Sequence, residues 1–152
     1  MAAQLRLGNI VPDFAAETTQ GKWESFHEWK KGKWAILFSH LADFTPVCTT
    51  EIGRLAIKYD MLEEMDCKVA TLSVDPIKSH EEWLTDVVAH CENKIEIKFP
   101  IIGDSDRSIS TKRPEAVADE VEAAVGEVRR LLGADVLAGR RPFPCDAAIW
   151  GR

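Results

Sequence analysis

The chain has 152 residues, 45% of them hydrophobic, and a formal net charge of -6. That length suits one domain with a real core, and no apolar run approaches the roughly 18 residues of a membrane span. The acidic balance argues against nucleic acid and anionic membranes as partners. The start, Met1-Ala-Ala-Gln-Leu-Arg-Leu7, has no basic region followed by an apolar stretch, so no secretory signal is expected. Cys48, Cys67, Cys91 and Cys145 are irregularly spaced and include no CxxC pair. This suits a reducing, cytoplasmic setting better than a disulfide framework.

In chain order, Thr18-Thr-Gln-Gly21 is a turn signal whose flanks could pair as a small hairpin. Phe26-His-Glu-Trp29 reads as a helical turn closed near Gly32, with His27 as a surface residue. Trp34–Ser39 is a short apolar run and reads as a buried strand. Ile52, Leu55, Ala56, Tyr59, Leu62 and Met65 recur at helical spacing, which predicts a helix from about Val47 to Met65. Lys68–Asp75 is a second buried strand, ended by Pro76. Ser79 and Glu82 fit a capping box, with Ser79 as cap of a helix running to about His90. Phe99-Pro-Ile-Ile102 is the third strand. Strands alternating with helices predict an α/β sheet with right-handed crossovers and flanking helices.

From Thr111 the character changes, so two segments are expected: 1–110 as the folded domain and 111–152 as a divergent tail. Within the tail, Pro114 to about Leu132 is patterned as a helix, with Val117, Val121, Val125, Val128 and Leu132 on one face. Acids lead it, Arg129 and Arg130 close it and Gly133 caps it. Ala134 to Arg152 is rich in Ala, Gly and Arg and predicts no element.

The chemistry concentrates where strand 34–39 gives way to the next helix. Asp43, Thr45 and Pro46 break the chain, and Cys48 falls in the helix's first turn. Unpaired N–H groups and the helix dipole favour an anion there, and hence a thiolate. In open α/β sheets, chemistry lies beyond the carboxyl ends of the strands. The alternative is a small buried cysteine used for packing.

Ser39-His40 and Asp43-Phe-Thr-Pro-Val-Cys-Thr-Thr-Glu51 resemble the peroxidatic loop of the peroxiredoxins, in the wording of their one-cysteine, peroxiredoxin-6-like branch. Pro12-Asp-Phe14 and Phe99-Pro-Ile-Ile-Gly-Asp104 extend the likeness from about Leu7 to about Ser110. The resemblance implies a thioredoxin-like mixed sheet and a thiol-dependent peroxidase that reduces hydrogen peroxide and organic hydroperoxides through a Cys48 sulfenic acid. Thr45 would hydrogen-bond thiolate and peroxide, and the Val47 and Cys48 N–H groups would hold a peroxide oxygen. His40 would hydrogen-bond in the pocket or be a satisfied histidine at a strand end. Glu51 would orient an arginine. No second cysteine matches a resolving position, so an external thiol of glutathione or thioredoxin type would complete the cycle, with no cofactor.

Three departures bear on activity. Lowering a thiol pKa from about 8.5 to about 6 takes roughly 3.4 kcal/mol, whereas a helix N-terminus supplies up to roughly 2. A cation must make up the difference, and none of Arg113, Arg129, Arg130, Arg140 and Arg141 stands in the family's arginine motif. Leu41 replaces a loop proline; it shields by bulk but cannot fix the dihedral. The family's C-terminal strands are missing, which suggests a truncated product, a splice form or a shifted frame. The resemblance leaves a homodimer open, although family dimers pair through strands of that missing part. The edge so left in the sheet would be exposed unless helix 114–132 covers it. Lys33-Trp34 stands where the branch's phospholipase activity needs a serine, so that activity is not carried over. The alternative function is a catalytically impaired isoform or redox-sensitive interaction module; a disulfide reductase is disfavoured by the lack of CxxC. No metal site is expected, since His80, His90 and Cys91 show no paired ligand spacing.

Overall fold

A computed structural model describes residues 11–110 and, beyond them, the backbone of 147–150. Six strands form one sheet in the order β2-β1-β5-β4-β3-β6. They are β1 (Ala16–Thr18), β2 (Gly21–Trp23), β3 (Trp34–Ser39), β4 (Cys67–Ser73), β5 (Ile101–Gly103) and β6 (Ala147–Trp150), interleaved with α1 (Phe26–Lys30), α2 (Pro46–Glu64) and α3 (Ile77–His90). Strands β3, β4 and β5 are parallel neighbours, while β1 joins β2 and β5 antiparallel. This is the α/β sheet with flanking helices that the alternation of elements predicts, and its mixed, thioredoxin-like form is the one the family resemblance implies.

The hairpin turn at 18–21 forms for local reasons. Thr18 Oγ1 accepts from Gln20 N–H (3.1 Å) and donates to the Gly21 carbonyl (2.7 Å). Gly21 takes φ +104°, a conformation that strongly favours glycine.

Side-chain alternation along the central strands sorts the core into two layers. Ile36, Val69 and Ile101 face one way and pack with Ile52, Tyr59 and Leu62 of α2 and Trp83 and Val87 of α3. Ala35, Leu37, Ala70, Leu72 and Ile102 face the other way, against Trp23 and Phe26. Fully burying each large apolar side chain stabilises by roughly 1.5–3 kcal/mol, so both layers hold the sheet. Gly53 lets α2 and α3 approach: a Cβ there would lie 2.6 Å from Cys91 Sγ.

Five expectations are corrected. The segment 134–152 does contain an element, since β6 pairs antiparallel with β3, from Ala35↔Trp150 to Phe38↔Ala147. The β3 edge, expected to be open or covered by a helix, is therefore occupied by a strand. Ser79 is not the cap of α3: Pro76 is, and the Ser79 hydroxyl is engaged elsewhere. The third strand begins at Ile101 rather than Phe99, and His27 is half-buried, its Nε2 2.8 Å from the Val11 carbonyl. The expected helix 114–132, its arginines and Cys145 lie outside the described residues. No helix among the described residues is long and apolar enough to cross a membrane.

Candidate active site

The loop between β3 and α2 is tied down by hydrogen bonds at His40, Ala42, Asp43 and Thr45. His40 N–H donates to the Leu72 carbonyl (2.9 Å), extending the β3–β4 pairing by one step. Asp43 N–H donates to Asp75 Oδ2 (3.0 Å), and that carboxylate is itself held by Ser73 Oγ (2.7 Å). Thr45 Oγ1 donates to the Ala42 carbonyl (2.9 Å). Between them Phe44 sits at φ +58°, a strained position for a residue with a Cβ.

Thr45 is the N-cap of α2, but its side chain does not cap; it is turned into the loop. Pro46 has no N–H, and the first helical donor is Thr49, to the Thr45 carbonyl at 2.9 Å. The N–H groups of Val47 and Cys48 therefore lie ahead of the helical ladder, where a helix binds anions. Cys48 is the third helical residue and is 2% exposed, within the layer that contains Ile36, Ile52 and Trp83. Leu41 is 70% exposed, so bulk at that position does not cover the thiol; packing against the core does. Phe44 and Val47 are exposed beside it in sequence, giving the loop an apolar outer surface. Glu51 is half-buried on the next turn of α2.

Beneath the loop lies a polar cluster that spacing alone does not reveal. The side chain of Asp43 is 1% exposed and accepts from three donors. His40 Nε2 (3.0 Å) and His80 Nδ1 (2.9 Å) reach Oδ1, while His80 Nδ1 (2.8 Å) and Ser79 Oγ (2.6 Å) reach Oδ2. Burial opposes ionisation of this carboxyl, yet the bonds from His40, His80 and Ser79 and the charge of His80 hold it well below the usual carboxylate range. His80 Nε2 faces the Ile102 carbonyl at 3.2 Å. The His40 ring lies against Trp83, centroids 4.9 Å apart. Trp83 Nε1–H in turn donates to Thr49 Oγ1 (3.0 Å), next in sequence to Cys48.

The structure thus gathers Thr45, Val47 and Cys48 at one helix start and places His40 at the adjoining strand end. Asp43 reads as a turn residue in the sequence, and it is the buried hub of the loop. His80, weighed with His90 and Cys91, partners His40 and Asp43 instead. These three offer one ligand atom each within 4.8 Å, but the mutual hydrogen bonds account for that spacing. Cys67 is the first residue of β4, and burial, aided by the charge of Asp66, pushes its thiol up to about 11. It fits a packing role.

Residues 7–119 match the description "AhpC/TSA family". A 1-Cys peroxiredoxin of Onchocerca volvulus is 42% identical over 120 residues, covering 74% of this chain and 52% of that protein. Human peroxiredoxin-6 is 42% identical over 112 residues, covering 72% and 50%. Among solved structures, the yeast mitochondrial 1-Cys peroxiredoxin superposes with a TM-score of 0.67 at 40% identity, covering 71% of this chain and 50% of that one. The chain spans about half the length of the relatives it matches.

Proposed function

The chain belongs to the AhpC/TSA family, and on that footing we propose that it is a one-cysteine, thiol-dependent peroxidase whose reacting group is Cys48. The observation that carries this reading is the position of Cys48 in the first turn of α2, beside N–H groups outside the helical ladder. The thiolate sulfur attacks one peroxide oxygen; the S–O bond forms as the O–O bond breaks, leaving a sulfenic acid. The departing hydroxide or alkoxide takes up a proton. Developing charge is met by the Val47 and Cys48 N–H groups, while the Thr45 hydroxyl, which donates to the Ala42 carbonyl, shapes the loop around them. His40 supports the pocket, and Glu51 stands one turn further along α2.

Two equivalents of external thiol then restore the cysteine. The first displaces water to give a mixed disulfide, and the second releases the reduced sulfur. The yeast relative is described as resolving its thiol through glutathione and thioredoxin systems, which supports a reductant of that class here. The relatives' names favour this reading over an interaction module. A stopped-flow assay of hydrogen peroxide consumption with a thiol reductant tests it. Wild type consumes peroxide and Cys48→Ser does not; equal rates would remove Cys48 from the chemistry.

A further inference from the structure

Donor and acceptor accounting assigns the protons of the buried cluster. A main-chain carbonyl only accepts, so His80 Nε2, 3.2 Å from Ile102 O, carries a hydrogen. An ionised carboxylate also only accepts, so His80 Nδ1, at 2.8 Å and 2.9 Å from the two Asp43 oxygens, carries one too. His80, fully buried, is a double donor. The same carboxylate requires His40 Nε2 to donate, and in the neutral ring that makes His40 Nδ1 a bare acceptor. That nitrogen is buried and has no partner among the described residues. A buried acceptor left open is the exception in folded proteins.

Resting on the peroxidase reading, we propose that His80 is a positioning residue for the Cys48 reaction. By balancing the Asp43 carboxylate it keeps that group an acceptor, and the carboxylate then locks His40 in the tautomer whose Nδ1 lone pair stays available. The logic is that of a catalytic triad, in which a buried carboxylate sets which imidazole nitrogen accepts. Here a second imidazole lies behind the carboxylate. His80 touches no reacting atom in this arrangement; it acts through Asp43 on His40, and through Asp43 on the loop that carries Thr45.

Long-range proton–nitrogen NMR of the imidazole rings in the full chain at neutral pH reads this directly. The expected wild-type spectrum has protons on both nitrogens of His80, and a proton on Nε2 but not Nδ1 of His40. Asp43→Asn removes the negative charge that holds a second proton on His80, so His80 is expected to become neutral and keep only the Nε2 proton that faces the Ile102 carbonyl. His80→Phe keeps a planar aromatic ring, a little larger than imidazole, and removes both donors. Its second-order rate with peroxide is expected to fall by about tenfold to a hundredfold, taking as guide the loss seen when a metal-bound histidine loses its outer hydrogen-bond partner. A neutral His80, a His40 protonated at Nδ1, or a folded His80→Phe protein with the wild-type rate would each overturn the assignment. So would a chelator-sensitive spectrum, which would make the cluster a metal site. If His80→Phe does not fold, the wild-type spectrum decides. An inactive wild type would sink the peroxidase reading, whereas a neutral His80 in an active wild type sinks only this inference.

Discussion

Replacing Asp43 by alanine should be among the most damaging single changes in the described part of the chain. The carboxylate accepts from three side chains, all at 3.0 Å or less, and its own side chain is 1% exposed. Removing it leaves the buried His80 Nδ1 without the acceptor it faces in the wild type. Breaking a buried charged pair by deleting one partner costs about 3–5 kcal/mol, out of a total stability of about 5–15. With a urea m-value of about 2 kcal/mol/M, the unfolding midpoint falls by about 1.5–2.5 M. Adding His80→Ala to Asp43→Ala should cost less than His80→Ala does alone, because the stranded donor is gone, with a coupling of about 0.5–3 kcal/mol. Urea titrations of wild type, both single variants and the double variant measure all four corners. A midpoint shift under about 0.5 M in Asp43→Ala, at unchanged m, would refute the buried-hub account.

Three further outcomes follow from the same structure. The folded-state pKa of Asp43 is depressed, so its stabilisation is present above the unfolded value of about 3.9 and is lost as pH falls below it. Urea midpoints at pH 6 and pH 3 should therefore drop further in wild type than in Asp43→Asn, and equal drops would contradict the shift. Burial that raises the Cys67 thiol to about 11 should make it the slowest to alkylate among Cys48, Cys67 and Cys91, as peptide mass spectrometry after iodoacetamide at pH 8 would show; early labelling of Cys67 would count against it. Gly53→Ala places a methyl 2.6 Å from Cys91 Sγ. Overpacking costs of about 1–3 kcal/mol outweigh a helix gain of about 1, so it should destabilise alone and recover when combined with Cys91→Ala. A variant as stable as wild type without the second change would mean that the two helices separate freely.

The layers of the fold are legible because local period and global packing agree. Alternation along Trp34–Ser39 and Cys67–Ser73 separates the two core faces, and helical spacing from Ile52 to Leu62 marks the buried stripe of α2. The helix start at Pro46 follows from turn chemistry at Thr45, so the location of Cys48 is readable. The cluster under the loop is not. Asp43 and His80 lie 37 positions apart, and nothing in either neighbourhood signals that β4 and α3 bring them within 2.8 Å. Ser79 misleads for the same reason: its sequence context is that of a cap, while its hydroxyl answers to a carboxylate on another element. Strand β6 is hidden because Ala-Ala-Ile-Trp is too short to carry a period, and its pairing with β3 supplies what propensity does not.

Trapping the oxidised sulfur tests the central claim most directly. The protein is treated with one equivalent of hydrogen peroxide in the presence of dimedone, digested and mapped by mass spectrometry. A single adduct on Cys48, absent from Cys48→Ser, is the predicted result. An adduct on Cys67 or Cys91 in its place, or no adduct while peroxide is consumed, would contradict the assignment of this cysteine.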